Sequence, residues 1–455
     1  MKKTLFLASS AMTMILAGCT SEAYEPEKAV LPESSNHVTL TVSAVTKSPD
    51  LVGDPETRIA YGSEDATWEE GDKIFLIKSD GTTITLTLSD GAGTSTGSFT
   101  STDAVTAGSY TPYAVSATSL SKGYVSVSDG AISLDLSTAG GGTLADALEH
   151  DILKGDALEL TDDQAEAEIT GLTTHILSYL RFRFTSESKA IASIGMKSAG
   201  GVYKTVTIAS DGNVSGSDAS TDVVSVTASD DGAGTYAGYF AVYGSTNTSL
   251  LAHAEDADGG KYSRLVSTKE ATYTAGTVYG KTFTLSEDMV TADASGTLSD
   301  QTWKNLGLSV KWSEYYVYTS EEFAYNRSFD TNGNTDPPAS WSGWRLPTRE
   351  EVNELYYAST LEWISSDTGP NGMKFNCNGN YIAMGASGYY YDWEVGDRVS
   401  QEGENIYFFI DEKSGDNRLW SNITSTGLSF ANAGSRCTNV RCFTYYGAMR
   451  LVCDY

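Results

Sequence analysis

The 455-residue sequence predicts a mainly β protein: two β-sandwich domains in succession, then an α+β domain. Three observations point there. Runs such as Val38-Thr39-Leu40-Thr41-Val42 and Ile84-Thr85-Leu86-Thr87-Leu88 alternate apolar and polar residues, which turns one side of an extended strand to a core and the other to water. A turn sequence recurs: Asp90-Gly91-Ala92-Gly93-Thr94 is followed by Gly97 and Phe99, and Asp231-Gly232-Ala233-Gly234-Thr235 by Gly238 and Phe240 at the same offsets. Two similar hairpins would produce this echo, and so would two related sandwiches. Finally, seven of the eight tryptophans and four of the five cysteines lie after residue 300, so composition itself marks a boundary there.

Taken in order, Lys2 and Lys3 precede a mostly apolar run from Leu5 to Leu16, closed by Leu16-Ala17-Gly18-Cys19. Charge, a short apolar stretch and small residues are the layout of a secretory signal. Residues 1–18 are expected to be that signal, and 19–36, with Pro26, Pro32 and several Glu and Ser, a solvated tether. The first sandwich is expected over 37–160 and the second over 161–285, with Ile176 to Phe184 as a core strand. Residues 286–300 are polar and aperiodic and read as a linker to the last domain, 301–455. There, Thr348 and Glu351 are spaced as a capping box, and Val352, Leu355 and Tyr356 share the face of one short helix. Strand-like runs follow, punctuated by the turn pairs Asn371-Gly372 and Asn378-Gly379.

The formal net charge is −29. Such a surface repels phosphate backbones, so nucleic acid is excluded as a partner. No P-loop or H-E-x-x-H motif occurs, and the four histidines, His37, His150, His175 and His253, all precede residue 301. A binding protein is expected, not an enzyme. In an oxidising compartment Cys377, Cys437, Cys442 and Cys453 permit two disulfides in any of three pairings. A C-x₄-C spacing without histidine is a poor zinc half-site, and no metal centre is expected. Asp411-Glu412 with Asp416-Asn417 could hold a structural calcium, but the spacing fits no known loop, and a solvated turn is the plainer reading.

The candidate ligand-binding residues are Tyr390, Asp392 and Trp393, in the run Tyr389-Tyr390-Tyr391-Asp392-Trp393, together with Asn422. Aromatic rings stack on the apolar faces of sugars, and planar polar groups read their hydroxyls. Successive strand residues face opposite sides, so the run is hard to bury whole. The competing use of each aromatic is in the core of a small β-rich domain.

Three stretches resemble known families. Leu16-Ala17-Gly18-Cys19 looks like a bacterial lipobox, and Ser21-Glu22-Ala23-Tyr24-Glu25-Pro26-Glu27 resembles the surface-export tether of Bacteroides-type lipoproteins. This implies a lipid on Cys19 and a place on the outer membrane at the cell surface. Thr57-Arg58-Ile59-Ala60-Tyr61-Gly62 followed by Trp68-Glu69-Glu70-Gly71-Asp72-Lys73-Ile74, with the segment His175 to Phe184, resembles the fimbrillin family of pilus-subunit precursors. The resemblance implies two transthyretin-like sandwiches, maturation by an arginine-specific protease with Arg58 as the candidate cut, and assembly with other pilus subunits through β-strand addition. Asn305-Leu306-Gly307-Leu308-Ser309-Val310-Lys311-Trp312, Trp344-Arg345-Leu346-Pro347-Thr348 and Leu419-Trp420-Ser421 resemble the major paralogous domain of Bacteroidetes surface proteins, similar in fold to C-type lectins and formylglycine-generating enzymes. Together these imply a pilus-tip adhesin whose head binds a glycan or a host surface protein. The alternatives are a surface lipoprotein that binds glycans without polymerising and a sulfatase-modifying-type enzyme using a cysteine pair.

Overall fold

The computed structural model describes residues 40–46, 52–53, 67–244, 249–268, 272–317, 319–321, 329–330, 340–365, 371–387, 389–392, 398–400, 404–414, 417–432 and 444–455. These are mainly β, arranged in several mostly antiparallel sheets with a few short helices. Alternation places the strands as expected: Ile84 and Leu86 are fully buried while the intervening threonines are not. Trp68 lies edge-on to Phe99 with ring centroids 4.7 Å apart. Gly71 takes φ +93°, a left-handed conformation that glycine adopts without steric cost. That turn carries Asp72 under the chain, where its carboxylate accepts from the backbone N–H groups of Glu69 and Ala117, each at 2.8 Å.

The sequence echo is an echo of topology. The strand Leu40–Thr46 runs antiparallel to Thr96–Ser101 on one side and parallel to Glu166–Leu172 on the other. The strand Ser178–Ser186 has the same two kinds of neighbour, antiparallel Thr235–Val242 and parallel Thr277–Leu285. In both cases the antiparallel partner emerges from one of the two repeated turns. Thr94 N–H donates to Gly91 O in one turn and Thr235 N–H to Gly232 O in the other. Phe99 and Phe240 are both fully buried.

The division expected near residue 160 is crossed by both strand pairing and packing. Glu166–Leu172 joins the sheet of Leu40–Thr46, and Ala131–Asp135 pairs with Val202–Ile208. Leu134 and Val206 face each other in that register and are fully buried. One core takes Phe75, Ile77 and Tyr113 from before the division and Tyr179, Ile208 and Val278 from after it. A second core joins Phe182, Phe184 and Phe240 to Ile194, Met196 and Ala252 of the facing four-stranded sheet. The expected linker also has structure: a helix Glu287–Thr291 capped by the Ser286 side chain, then a strand Ser295–Leu298 paired with Gln301–Lys304. One turn of helix is too short to show periodicity, which is why composition alone reads as linker.

In residues 301–455 the helix Arg349–Ala358 has the expected box. Glu351 N–H donates to Thr348 Oγ1 at 3.2 Å, and Thr348 N–H to Glu351 Oε2 at 2.7 Å. Val352 and Leu355 are fully buried and Tyr356 packs at the edge of the same core. Arg345 adds a fork onto Glu351, with bonds of 2.9 and 2.6 Å. Among the described residues no helix is long and apolar enough to cross a membrane.

Candidate functional site

Strand Leu40–Thr46 is the first candidate for function. It is held on both sides by backbone ladders, and its register sets Val42 opposite the buried Phe99 and Ala44 opposite the buried Ile169. The chain next meets a different sheet, where Val52–Gly53 pairs in parallel with Thr277 and Val278. Arg58 lies outside the described residues, as does Cys19. A segment inserted between two strands and joined to the rest through one connection is what strand addition acts on, because main-chain bonds supply affinity and alternate side-chain positions supply specificity.

The predicted ligand-binding residues fall in two sheets. Tyr390 and Asp392 lie on the strand Tyr389–Asp392, which pairs with Arg398–Ser400 and with Thr444–Gly447; Tyr390 is opposite Tyr446 and Asp392 opposite Thr444. Being two apart, Tyr390 and Asp392 share one face of their sheet. Trp393 lies outside the described residues. Asn422 is on Asn417–Ile423, between Tyr407 and Ser429 of the flanking strands. It is half-buried, and its Oδ1 is sealed from solvent without a hydrogen-bond partner among the described residues. Trp420, two residues before it, is buried and stacks flat on Phe409 with centroids 5.8 Å apart. Trp344 is buried as well and donates to Leu298 O at 2.8 Å.

No disulfide joins the described residues. Cys377 and Cys453 are buried free thiols in two different apolar clusters; Cys437 and Cys442 lie outside the described residues. Burial pushes the Cys377 thiol up to about 12 and the Cys453 thiol up to about 11. In the acidic group weighed for calcium, Glu412 instead accepts from Arg349 Nε at 2.7 Å, and Asp416 is outside the described residues. Among the described residues no three His, Cys, Asp or Glu side chains converge as a metal site. His175 pairs with Asp151 inside the core shared across residue 160.

Sequence reasoning missed the seam between residues 301–455 and the strands of 191–267. Glu354, buried on the capped helix, accepts from Leu265 N–H at 3.2 Å, Ser309 N–H at 2.7 Å and the Ser309 hydroxyl at 2.6 Å. Arg264, also buried, donates to Gly307 O at 3.2 Å, and Ser263 N–H donates to the same carbonyl at 2.8 Å. A Cβ at Gly307 would lie 2.0 Å from Lys261 O, so only glycine admits this approach. Asn378 donates to Leu306 O at 2.8 Å and contacts Ser263 Oγ. The one signal available beforehand was Glu354 itself, a carboxylate placed between the core residues Asn353 and Leu355.

No family model and no curated protein matches the chain. Among solved structures it is similar to an inferred cell adhesion protein from Bacteroides ovatus, at 13% identity and a TM-score of 0.37, over 54% of this chain and 91% of that one. It is similar to the tip fimbrial protein Mfa3 from Porphyromonas gingivalis with C-terminal truncation, at 11% identity and 0.26, over 52% and 91%. It is also similar to the fimbrial anchor protein Mfa2 from the same organism, at 10% identity and 0.27, over 48% and 78%.

Proposed function

We propose that this protein is a cell-surface adhesin that enters a pilus by exchange of a β-strand, reaches the outer membrane on a lipid at Cys19, and presents residues 301–455 as a glycan- or host-protein-binding head at the tip. The observation that carries the reading is the position of Leu40–Thr46 between Thr96–Ser101 and Glu166–Leu172. Arg58 follows this strand in sequence. Cutting there would detach Leu40–Thr46 together with Val52–Gly53, leaving two facing strands with unpaired N–H and C=O groups and a vacant place for a partner's strand. Cys19 and its lipid would leave on the same fragment.

The tip position is supported by the folded state of residues 301–455, of which the strand Val452–Cys453 is a part. Val452 and Cys453 pair with Trp312 and Lys311, and Tyr455 donates to Asn305 Oδ1 at 2.8 Å. These residues are committed to the fold and are not free to be donated. A binding role is favoured over sulfatase-modifying chemistry at Cys377 and Cys453, the two cysteines among the described residues, because a thiol nucleophile needs a lowered pKa and access and these two have neither.

Incubating the full chain with an arginine-specific protease tests the assembly. The expected result is one early cut at Arg58, blocked by Arg58→Ala, and a truncated product that binds a synthetic peptide of residues 38–46. A chain left intact at Arg58, or a product that ignores the peptide, removes polymerisation and leaves a lipoprotein that captures ligands without it. Glycan-array binding by the full chain tests the head. Tyr390→Ala, Trp393→Ala and Asn422→Ala are each expected to weaken it; unchanged binding in all three moves the site elsewhere.

A further inference from the structure

A cleft of about 290 Å³ opens at the seam, walled by Lys197, His253 and Lys261 from one side and Thr360, Asn376 and Asn378 from the other. Its size is near the lower end for small-ligand sites. Both walls are fixed relative to each other by the Glu354, Arg264 and Asn378 bonds described above, so the cleft is built and not an accident of two loosely tethered parts.

Its charge sets it apart. A larger cleft beside Gly140–Gly142 is lined by Asp146 and Asp222 against a single Lys204. At the seam the balance is reversed, with Lys197 and Lys261 against Glu255 alone. Lys261 stands 3.7 Å from Glu255. Lys197 is half-buried and, among the described residues, has no acidic side chain within ion-pair distance. An ammonium partly removed from water without a counter-charge is costly, and on a chain of net charge −29 an acidic partner elsewhere on the surface is easy to supply. Screening confines such fields to about 8 Å at physiological salt, so the local excess of lysine, not the overall charge, decides what enters.

The remaining lining is neutral and hydrogen-bonding. Asn376 and Thr360 supply an amide and a hydroxyl at the rim. His253 shares a hydrogen bond of 2.8 Å with Ser263 Oγ through Nδ1, and its Nε2 is sealed without a protein partner. Tyr262, itself buried, also lines the cleft.

We propose that this cleft binds a small polyhydroxylated carboxylate, an acidic sugar of the uronate type, with its carboxylate on Lys197 and its hydroxyls read by Asn376 and Thr360. The site is separate from the Tyr390 region and does not depend on strand exchange. Titration calorimetry of the full chain with glucuronate and with glucose tests it. Glucuronate is expected to bind at millimolar concentration or better and glucose at least roughly tenfold more weakly. Lys197→Met is expected to weaken glucuronate binding by a similar factor. Asn376→Asp, at the half-exposed rim, places a repelling carboxylate in the cleft without disturbing the core, and is expected to do the same with an unchanged melting temperature. It decides the matter if the lysine variant does not fold. Absence of glucuronate binding, equal binding of glucose, or either folded variant binding like the parent would overturn the proposal.

Discussion

His253 and the buried thiols show how one environment sets chemistry at single residues. Desolvation pushes the His253 imidazole down to about 4, with Lys197 adding to the effect. The unfolded chain takes up this proton near pH 6.5 and the folded chain only near pH 4, so acidification favours the unfolded state. Stability is therefore expected to be complete above about pH 6.5 and to fall between there and pH 4, by up to about 3 kcal/mol from this residue. Urea unfolding across that range, with His253→Gln as reference, checks it; an equally steep loss in the variant would assign the effect to other groups. For Cys377 and Cys453 burial acts in the opposite sense on a group that ionises to an anion. Brief alkylation at pH 8 followed by peptide mapping is expected to leave both unmodified until denaturant is added. Native modification of either would reopen thiol chemistry in this segment.

At the scale of elements, the helix Arg349–Ala358 shows how a local signal acquires a second use. Thr348 and Glu351 satisfy two free N–H groups at its start, and the Glu351 carboxylate also receives the Arg345 fork. Thr348→Ala is expected to cost about 1 kcal/mol, as caps do. Glu351→Ala removes the reciprocal cap and both bonds of the Arg345 fork, leaving that guanidinium only Asp454 and Leu346 O as acceptors among the described residues, so it should cost more. Denaturation midpoints order the two, and equal costs would mean that the Arg345 contact contributes nothing. The same helix turns Glu354 onto the neighbouring strands, so its face is set by the seam as much as by its own core. The strands nearest the N-terminus follow the same logic, since Leu40–Thr46 alternates correctly by itself but takes its place in the sheet from two partners far along the chain.

For the molecule as a whole, the shared core is the decisive feature. Leu134 and Val206 meet across the expected boundary. Leu134→Ala is expected to cost about 2–5 kcal/mol, the range for a large-to-small change in a filled core. Hydrogen exchange should then rise together in residues 73–115 and 202–208, on both sides of residue 160. Faster exchange confined to 125–135 would show that the two halves are energetically separate. The seam extends the coupling, because Gly307 sits against Lys261 and Glu354 against Leu265. A force applied to residues 301–455 would pass to the strands of 191–267 through these buried hydrogen bonds.

Much of this was legible from local pattern. The mainly β class, the strand around Ile84, the core strand ending at Phe184, the repeated turns and the capped helix all depend on near neighbours in sequence, and periodicity or spacing reports those directly. What the tertiary structure alone decided were partnerships between distant residues. Which strands flank Leu40–Thr46, where the halves share a core, why Glu354 is buried and why residue 307 must be glycine all depend on groups far along the chain, at separations where no local period carries information. The two cysteines are the clearest case: an even count allows bridges, but only packing put Cys377 and Cys453 in separate apolar clusters, where burial holds each as a thiol.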